Sequence, residues 1–193
     1  MGRVIAEISM SADGVVAGPD TSTEHRLGKY GDLLHEWLFG GTDEEGAIGA
    51  KLFDGTGAFV LGRSMFDVGV DPWGEDGTFK KPCFVVTHRP SEPVVKGPTT
   101  FTFVTDGPES ALRQAKAAAG EENVLVMGGG TTMRQFLAAG LVDELRLHVV
   151  PLLFGAGVRL FDGPIGEHVR LERTAVTPTP NATHLTFRVL NQN

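Results

Sequence analysis

The chain has 193 residues, a mass of 20.6 kDa and a formal net charge of −7. This length fits one domain with its own apolar core, and the acidic balance argues against nucleic-acid or anionic-membrane partners, which require a basic surface. No apolar run is long enough to cross a membrane and no signal-peptide pattern is present, so a cytoplasmic protein is expected. The single cysteine, Cys83, excludes an internal disulfide. It lies in an apolar run and is expected to be a buried thiol, and no metal site is predicted.

Short apolar runs alternate with helical patterns along the chain. In chain order, the patterns predict a strand at 4–10, helices at 32–39 and 43–53, strands at 58–61, 83–87 and 101–105, a helix at 108–119, a strand at 124–127, a helix at 132–139, and strands at 145–149, 170–176 and 184–190. This alternation is typical of a single α/β domain with a mixed, mainly parallel sheet. Residues 11–31 show no clear period and are expected to form a functional loop.

Three consecutive glycines, Gly128, Gly129 and Gly130, separate the strand at 124–127 from the next helix. Glycines allow a tight turn with exposed N–H groups, and a helix N-terminus adds a favourable partial charge, so this arrangement is suited to phosphate. Thr132 and Gln135 have capping-box spacing, which predicts the helix start. The alternative is a tight strand-to-helix turn without a ligand.

The glycine triplet does not fit the two common nucleotide-binding motifs. Met133 stands where the dinucleotide fingerprint has its third glycine, and no Gly-Lys-Ser/Thr follows as in a P-loop. A dinucleotide would therefore bind in another fold.

Two further strand ends carry polar residues. They are Gly62, Arg63 and Ser64 after one buried strand, and Thr87, His88 and Arg89 after the next. Because ligands of α/β sheets collect beyond the carboxyl ends of the strands, these residues are expected beside the glycine triplet if the strands are neighbours. Taken singly, each arginine is more often a solvated surface residue.

Several segments together resemble the dihydrofolate-reductase-like superfamily, and within it the reductase half of the bifunctional riboflavin-biosynthesis deaminase-reductase. The segments are 126–130, 136–137, 141–145 and 151–157, with weaker matches at 9–14 and 61–63. The resemblance covers nearly the whole chain and implies a mixed eight-stranded sheet flanked by helices, with NADPH bound along the strand ends. It also implies a homodimer, for which the apolar segment 149–154 is the candidate contact.

The resemblance assigns residues to the cofactor position by position. Gly128, Gly129, Gly130 and Thr131 would hold the pyrophosphate, and Gly62, Arg63 and Ser64 would meet the adenosine phosphate region. Thr87, His88 and Arg89 would lie beside the 2′-phosphate, and Ala6 would border the nicotinamide. Two departures concern the substrate. Met127 stands where the riboflavin enzyme has a glutamate before its glycines. Residues 69–74 occupy the region of the loop with which that enzyme grips its ribose-phosphate substrate.

Asp13 and Asp32 are the candidates for the proton route. Reduction of a C=N bond needs a proton at nitrogen, and a carboxylate or a water that it orders is a natural donor. Asp13 follows the first strand, and Asp32 opens the helix that carries Trp37. The alternatives are a turn-forming role for Asp13 and a favourable first-turn charge for Asp32.

We therefore expect an NADPH-dependent reductase that transfers hydride to a small heterocyclic or imine substrate. The alternatives are a dihydrofolate or pterin reductase of relaxed specificity, and a nucleotide- or heterocycle-binding protein without turnover. No nucleic-acid or membrane partner is expected.

Overall fold

The computed structural model describes residues 2–22, 24–163, 165 and 168–190. The strands are β1 (Val4–Ser11), β2 (Val15–Ala17), β3 (Thr56–Gly62), β4 (Cys83–Val86), β5 (Val94–Lys96), β6 (Thr99–Val104), β7 (Asn123–Val126), β8 (Glu144–Val150), β9 (Val158–Arg159), β10 (Arg170–Pro178) and β11 (Thr183–Leu190). The helices are a 3₁₀-helix (Gly31–His35), α1 (Glu36–Phe39), α2 (Asp43–Gly49), α3 (Arg63–Gly69), α4 (Pro108–Ala119) and α5 (Gly130–Ala138). Among the described residues, no helix is long and apolar enough to cross a bilayer.

The main sheet has nine strands in the order β10-β11-β8-β1-β7-β3-β4-β6-β5. The six central strands, β8 to β6, are parallel, whereas β5, β10 and β11 pair antiparallel. The α/β class and the mixed, mainly parallel sheet are confirmed, but the expected eight strands are one too few. The missed strand is β5, which has only three residues and is too short to show a period.

A second sheet pairs β2 with β9, two short strands that the sequence patterns also missed. Strand β2 lies inside the segment 11–31 that was expected to be a loop. Antiparallel pairing with β9, which lies far along the chain, produces this strand; local periodicity does not.

Both faces of the central strands are covered, which explains their continuous apolar runs. All seven residues of β3 are buried. Ala58 and Val60 pack in one core cluster with α4 and α5, while Phe59 and Leu61 pack in another with Phe66 of α3 and Phe101 of β6. Cys83 belongs to the second cluster and is buried, as expected, and this burial raises the pKa of its thiol.

The helices differ from the sequence expectation at their ends. The segment 32–39 is divided into the 3₁₀-helix and α1, and α2 ends at Gly49 rather than at residue 53. Helix α5 begins at Gly130 with Gly129 as its N-cap and without a side-chain cap, so the predicted Thr132–Gln135 capping box is wrong. Thr132 is instead buried in the first turn.

One edge of the main sheet is fully open to solvent. All nine residues of β10 are exposed, and they include the apolar side chains of Leu171 and Val176. Within the apolar segment 149–154, Val150 is buried but Leu153 is 74% exposed. Long open edge strands with apolar side chains promote pairing with another chain.

We expect two copies of the chain to pair through β10, because pairing would cover the open edge and its apolar side chains. Light scattering at micromolar concentration should then give twice the 20.6 kDa of one chain. Val176→Lys should shift the protein toward the monomer. The matched control is Val95→Lys, which changes an exposed valine on β5 at the opposite edge and should leave the dimer intact. A monomeric wild type, or dissociation by Val95→Lys alone, contradicts the prediction.

Candidate functional site

The strand order brings the three sequence motifs to one edge of the sheet. Strand β3 lies between β7 and β4, all three are parallel, and the registers pair Val60 with Val126 and Gly62 with Val86. The backbone N–H of Gly62 donates to the carbonyl of Gly128 over 2.7 Å, so the first motif contacts the glycine triplet directly. The condition that the strands be neighbours is therefore met.

The glycine triplet forms a turn with an open side. Gly128 has φ 101°, a conformation that favours glycine, and the Gly128–Gly129 peptide is cis. A Cβ added at Gly129 would meet no atom within 4 Å, whereas one at Gly130 would lie 3.2 Å from Val16 Cγ2. The first N–H groups of α5 follow at once, and such groups have no partners within their own helix. The turn thus has the shape and polarity of an anion cradle.

Gly62 is required by close packing rather than by a turn. A Cβ at this position would clash with the hydroxyl oxygen of Thr132, because the end of β3 lies against the first turn of α5. The next residues, Arg63 and Ser64, begin α3 at the same edge, with Ser64 exposed to solvent.

Two arginines of the predicted set share one carboxylate. Arg63 Nε lies 2.6 Å from Asp67 Oδ1, and Arg89 Nη2 lies 2.9 Å from Asp67 Oδ2. The Arg63 guanidinium also lies over the ring of Phe103, 5.1 Å from its centroid. Arg89 is 68% exposed, so its guanidinium can reach a ligand, but Asp67 competes with any anion at this position.

The remaining candidates of the cofactor set occupy different environments. The hydroxyl of Thr87 is buried and accepts from the Arg89 N–H over 3.0 Å, so it shapes the turn after β4, while His88 is exposed. Thr131 is exposed and accepts from Arg134 over 3.1 Å. Ala6 is fully buried in the core cluster beside β7.

Asp13 ties two loops together. Its carboxylate accepts from the Ser11 hydroxyl at 2.6 Å and from the backbone N–H groups of Gly155 and Phe154 at 2.9 and 3.2 Å. These bonds, the Ser11 bond most strongly, lower the pKa of Asp13 to about 2. Arg159 lies 3.6 Å from the same carboxylate and also donates to the Asp13 carbonyl. Asp13 is therefore ionised at neutral pH and holds 154–155 and β9 next to β2.

Arg134 extends this connection to the glycine turn, and no motif in the sequence pointed to it. Its guanidinium donates to the carbonyls of Arg159 and Leu160 at 2.8 and 3.1 Å. Through Arg134 the helix that starts at the triplet is bonded to β9, which pairs with β2. The small sheet and α5 thus form one wall of the site.

Asp32 is the second residue of the 3₁₀-helix. It is exposed, and this helix packs against β1 and β2. No hydrogen bond or ion pair between described residues joins Asp32 to Asp13. Their convergence on one substrate therefore stays a prediction. Trp37, on α1, is fully buried and its Nε1 donates to the Ser9 hydroxyl on β1 over 3.0 Å.

Comparisons with known proteins agree with this architecture. The chain is similar over 98% of its length to a protein of Shewanella sp. PV-4 assigned to riboflavin biosynthesis, with a TM-score of 0.71, 24% identity and 99% of that chain covered. It is similar over 98% of its length to the Thermotoga maritima diaminohydroxyphosphoribosylaminopyrimidine deaminase/5-amino-6-(5-phosphoribosylamino)uracil reductase, with a TM-score of 0.67, 14% identity and 57% of that chain covered.

A further similarity links the fold to dihydrofolate reductase. The Enterococcus faecalis enzyme, complexed with NADP(H) and RAB-propyl, matches over 97% of both chains with a TM-score of 0.61 and 17% identity. At these identities the structural likenesses show the dihydrofolate-reductase-like fold alone. The family is shown by the sequence itself, since the profile of the RibD C-terminal domain matches residues 3–185, and the chain belongs to the RibD C-terminal domain family.

Proposed function

We propose that the protein is a cytoplasmic NADPH-dependent reductase that transfers hydride to a small heterocyclic or imine substrate, either a pyrimidine of the riboflavin-precursor kind or a pterin. Membership of the RibD C-terminal domain family supports an oxidoreductase of the pyrimidine-reductase type. The observation that carries the cofactor assignment is the meeting of the glycine turn, the end of β3 and the end of β4 at one edge of the sheet.

The residues at this edge fit a dinucleotide phosphate. The open side of Gly129 leaves room for a pyrophosphate, and the N-terminus of α5 provides N–H groups and a favourable partial charge. Arg63 and Arg89 supply two guanidinium groups for a further phosphate, which arginine binds well through paired hydrogen bonds. When bound, the nicotinamide would supply the hydride.

The chain's own contribution is orientation and the exclusion of water. Arg134 joins α5 to β9, β9 pairs with β2, and Asp13 bonds to the N–H of Gly155. These bonds would hold the wall formed by α5, β9 and β2 in one position. For the substrate, we assign Asp32 of the exposed 3₁₀-helix to accept from a ring N–H or to order a water for protonation, and the contacts of this helix with β1 and β2 support the assignment.

A non-catalytic binding protein is the second candidate, and the engagement of Asp13 in structural hydrogen bonds favours it. Both carboxylate oxygens of Asp13 already accept hydrogen bonds from Ser11, Phe154 and Gly155, so one of the two candidates for the proton route has a structural role. NADPH oxidation with pyrimidine and pterin substrates separates the two functions, because a binding protein shows affinity without turnover.

Replacing Gly129 with valine should abolish NADPH binding, because the side chain would fill the open side of the turn. The fold should persist, since no atom lies within 4 Å of the new Cβ. The matched control is Gly46→Val on α2, an exposed glycine with equally free space but far along the chain from the turn. Fluorescence titration with NADPH measures the effect, and undiminished affinity in Gly129→Val contradicts the assignment.

NADPH should bind roughly tenfold to a hundredfold more tightly than NADH, because a charge-assisted hydrogen bond contributes about 1.5–3 kcal/mol. Arg89→Ala and Arg63→Ala should reduce this preference, whereas Arg113→Ala, at an exposed arginine of α4, should not. Calorimetric titration with both cofactors provides the measurement. Equal affinities in the wild type would show that the arginines do not contact the 2′-phosphate.

Removing the proton-route carboxylate should lower kcat by about 10²–10⁴-fold, the usual scale for acid–base groups, and leave NADPH affinity nearly unchanged. Asp32→Ala tests this role directly. Asp13→Ala also removes the loop tether, so its thermal stability must be measured alongside its kinetics. Asp54→Ala, at an exposed aspartate, is the control. Full turnover by both Asp13→Ala and Asp32→Ala would place the proton route elsewhere.

A further inference from the structure

A buried chain of hydrogen bonds crosses β1, β8 and β11 on the sheet face that α1 and α2 cover. Glu7 Oε1 lies 3.1 Å from His148 Nε2, and the two Nδ1 atoms of His148 and His184 are 2.7 Å apart. His184 Nε2 lies 3.3 Å from the Thr179 hydroxyl, which lies 2.7 Å from Glu45 Oε1. This series of hydrogen bonds therefore begins and ends at a buried carboxylate.

The partners of Thr179 determine where the protons of His184 lie. Burial by itself would raise the pKa of Glu45, but the bonds from Thr179, Thr42 and Asn181 outweigh it and bring that pKa to about 2, so Glu45 is a carboxylate. The single hydroxyl proton of Thr179 faces either this carboxylate or the Ala182 carbonyl, both of which only accept. His184 Nε2 must therefore donate to Thr179.

One proton is left for the space between the two rings. With a proton on Nε2, neutral His184 presents the lone pair of Nδ1, which accepts from the Nδ1–H of His148, while His148 Nε2–H donates to Glu7 Oε1. A second proton on His184 Nδ1 would place two N–H groups head to head at 2.7 Å and remove the hydrogen bond. In agreement, burial and then the nearby His148 lower the pKa of His184 to about 4, against a smaller opposite effect of Glu45.

Trp37 rests on this pair. Its ring centroid lies 4.5 Å from that of His148 and 4.8 Å from that of His184, and its Nε1 donates to Ser9. Trp37 is 1% exposed and belongs to α1, which continues directly from the 3₁₀-helix that carries Asp32. The position of the two rings thus determines the position of the helix that faces β1 and β2.

We propose that His148 and His184 form a one-proton lock that holds Trp37, and with it the helical segment 31–39, on the sheet, and that a second proton opens the lock. The pair consists of positioning residues, since neither is placed against a cofactor or a substrate. The assignment of segment 31–39 to the substrate side rests on the proposed function, whereas the lock itself does not.

Charged and titratable groups from each neighbouring element face the pair. They are Glu7 of β1, Glu144 and Arg146 of β8, Glu45 and Lys51 from α2 and the turn after it, and His35 of the 3₁₀-helix. Burial lowers the pKa of His35, and the nearby His148 acts in the same direction. Glu7 Oε2 is buried without a hydrogen-bond partner among the described residues, 3.6 Å from Arg146, so it does not neutralise a second proton on His184 by direct contact.

The direction of the pH effect follows from linkage. The pKa of His184 is lower in the folded protein than its ordinary value of 6.5. As the pH falls, a state in which the lock is open therefore binds the second proton at a higher pH than the closed state does. The contribution of His184 to the stability of the lock is therefore complete above about pH 6.5. It is lost progressively as the pH falls toward 4.

The test uses Trp37 as its own reporter. The chain has two tryptophans, so Trp73→Phe leaves Trp37 as the only one. Its fluorescence emission should change between pH 6.5 and 4, while the far-UV circular dichroism spectrum remains that of the folded protein. Adding His184→Asn keeps an acceptor near the Nδ1 position but removes the titrating group, so the transition should disappear. His25→Asn, at an exposed histidine, is the matched control and should keep the transition.

Two results would overturn the lock: no emission change in the Trp73→Phe protein down to pH 4, or an unchanged transition after His184→Asn. If Trp73→Phe does not fold, the imidazole C–H resonances of the wild type and of His184→Asn report the same titration by NMR. NADPH affinity at pH 7 should be equal in His184→Asn and wild type. If neither binds NADPH, the proposed function fails, while the fluorescence titration still decides the lock.

Discussion

The contact between the end of β3 and the start of α5 is the constraint on which the rest of the site depends. The Gly62 N–H bonds to the Gly128 carbonyl, and the lack of a Cβ at Gly62 lets the Thr132 hydroxyl come close. A Cβ at Gly62 would force the Thr132 side chain to move out of this contact. Because β3 also pairs with β4, this one contact sets the distance between the glycine turn and the arginines that follow β3 and β4.

The electrostatics of this edge are balanced rather than simply basic. Asp67 lies between Arg63 and Arg89 and satisfies both guanidinium groups in a chain whose net charge is −7. An exposed ion pair of this kind contributes little to stability, about 0–1 kcal/mol. Its consequence is orientation, since Asp67 holds two flexible side chains in place, and a phosphate would have to compete with one carboxylate for them.

The two halves of the sheet are built on different physical principles. The strands from β7 to β6 are held by apolar side chains on both faces, which tolerate changes in pH. On β1, β8 and β11 one face carries Glu7, His148 and His184 under Trp37, so helices α1 and α2 are held partly by hydrogen bonds. Buried polar networks are stable only while each member keeps its partner, and this makes the α1–α2 side the pH-sensitive part of the domain.

The sequence by itself determined the fold class, the long strands, the exact bounds of helix α4, the buried thiol of Cys83 and the family resemblance. These features could be predicted because burial on both faces and regular periodicity are visible in the order of apolar and polar residues along the chain. Tertiary structure decided the ninth strand, the small sheet of β2 and β9, and the bonds of Asp67, Arg134 and Asp13, since each depends on partners distant in the chain. It also decided that His148 and His184 share one proton. In the sequence these are two histidines thirty-six residues apart, and only the pairing of β8 with β11 places their rings in contact.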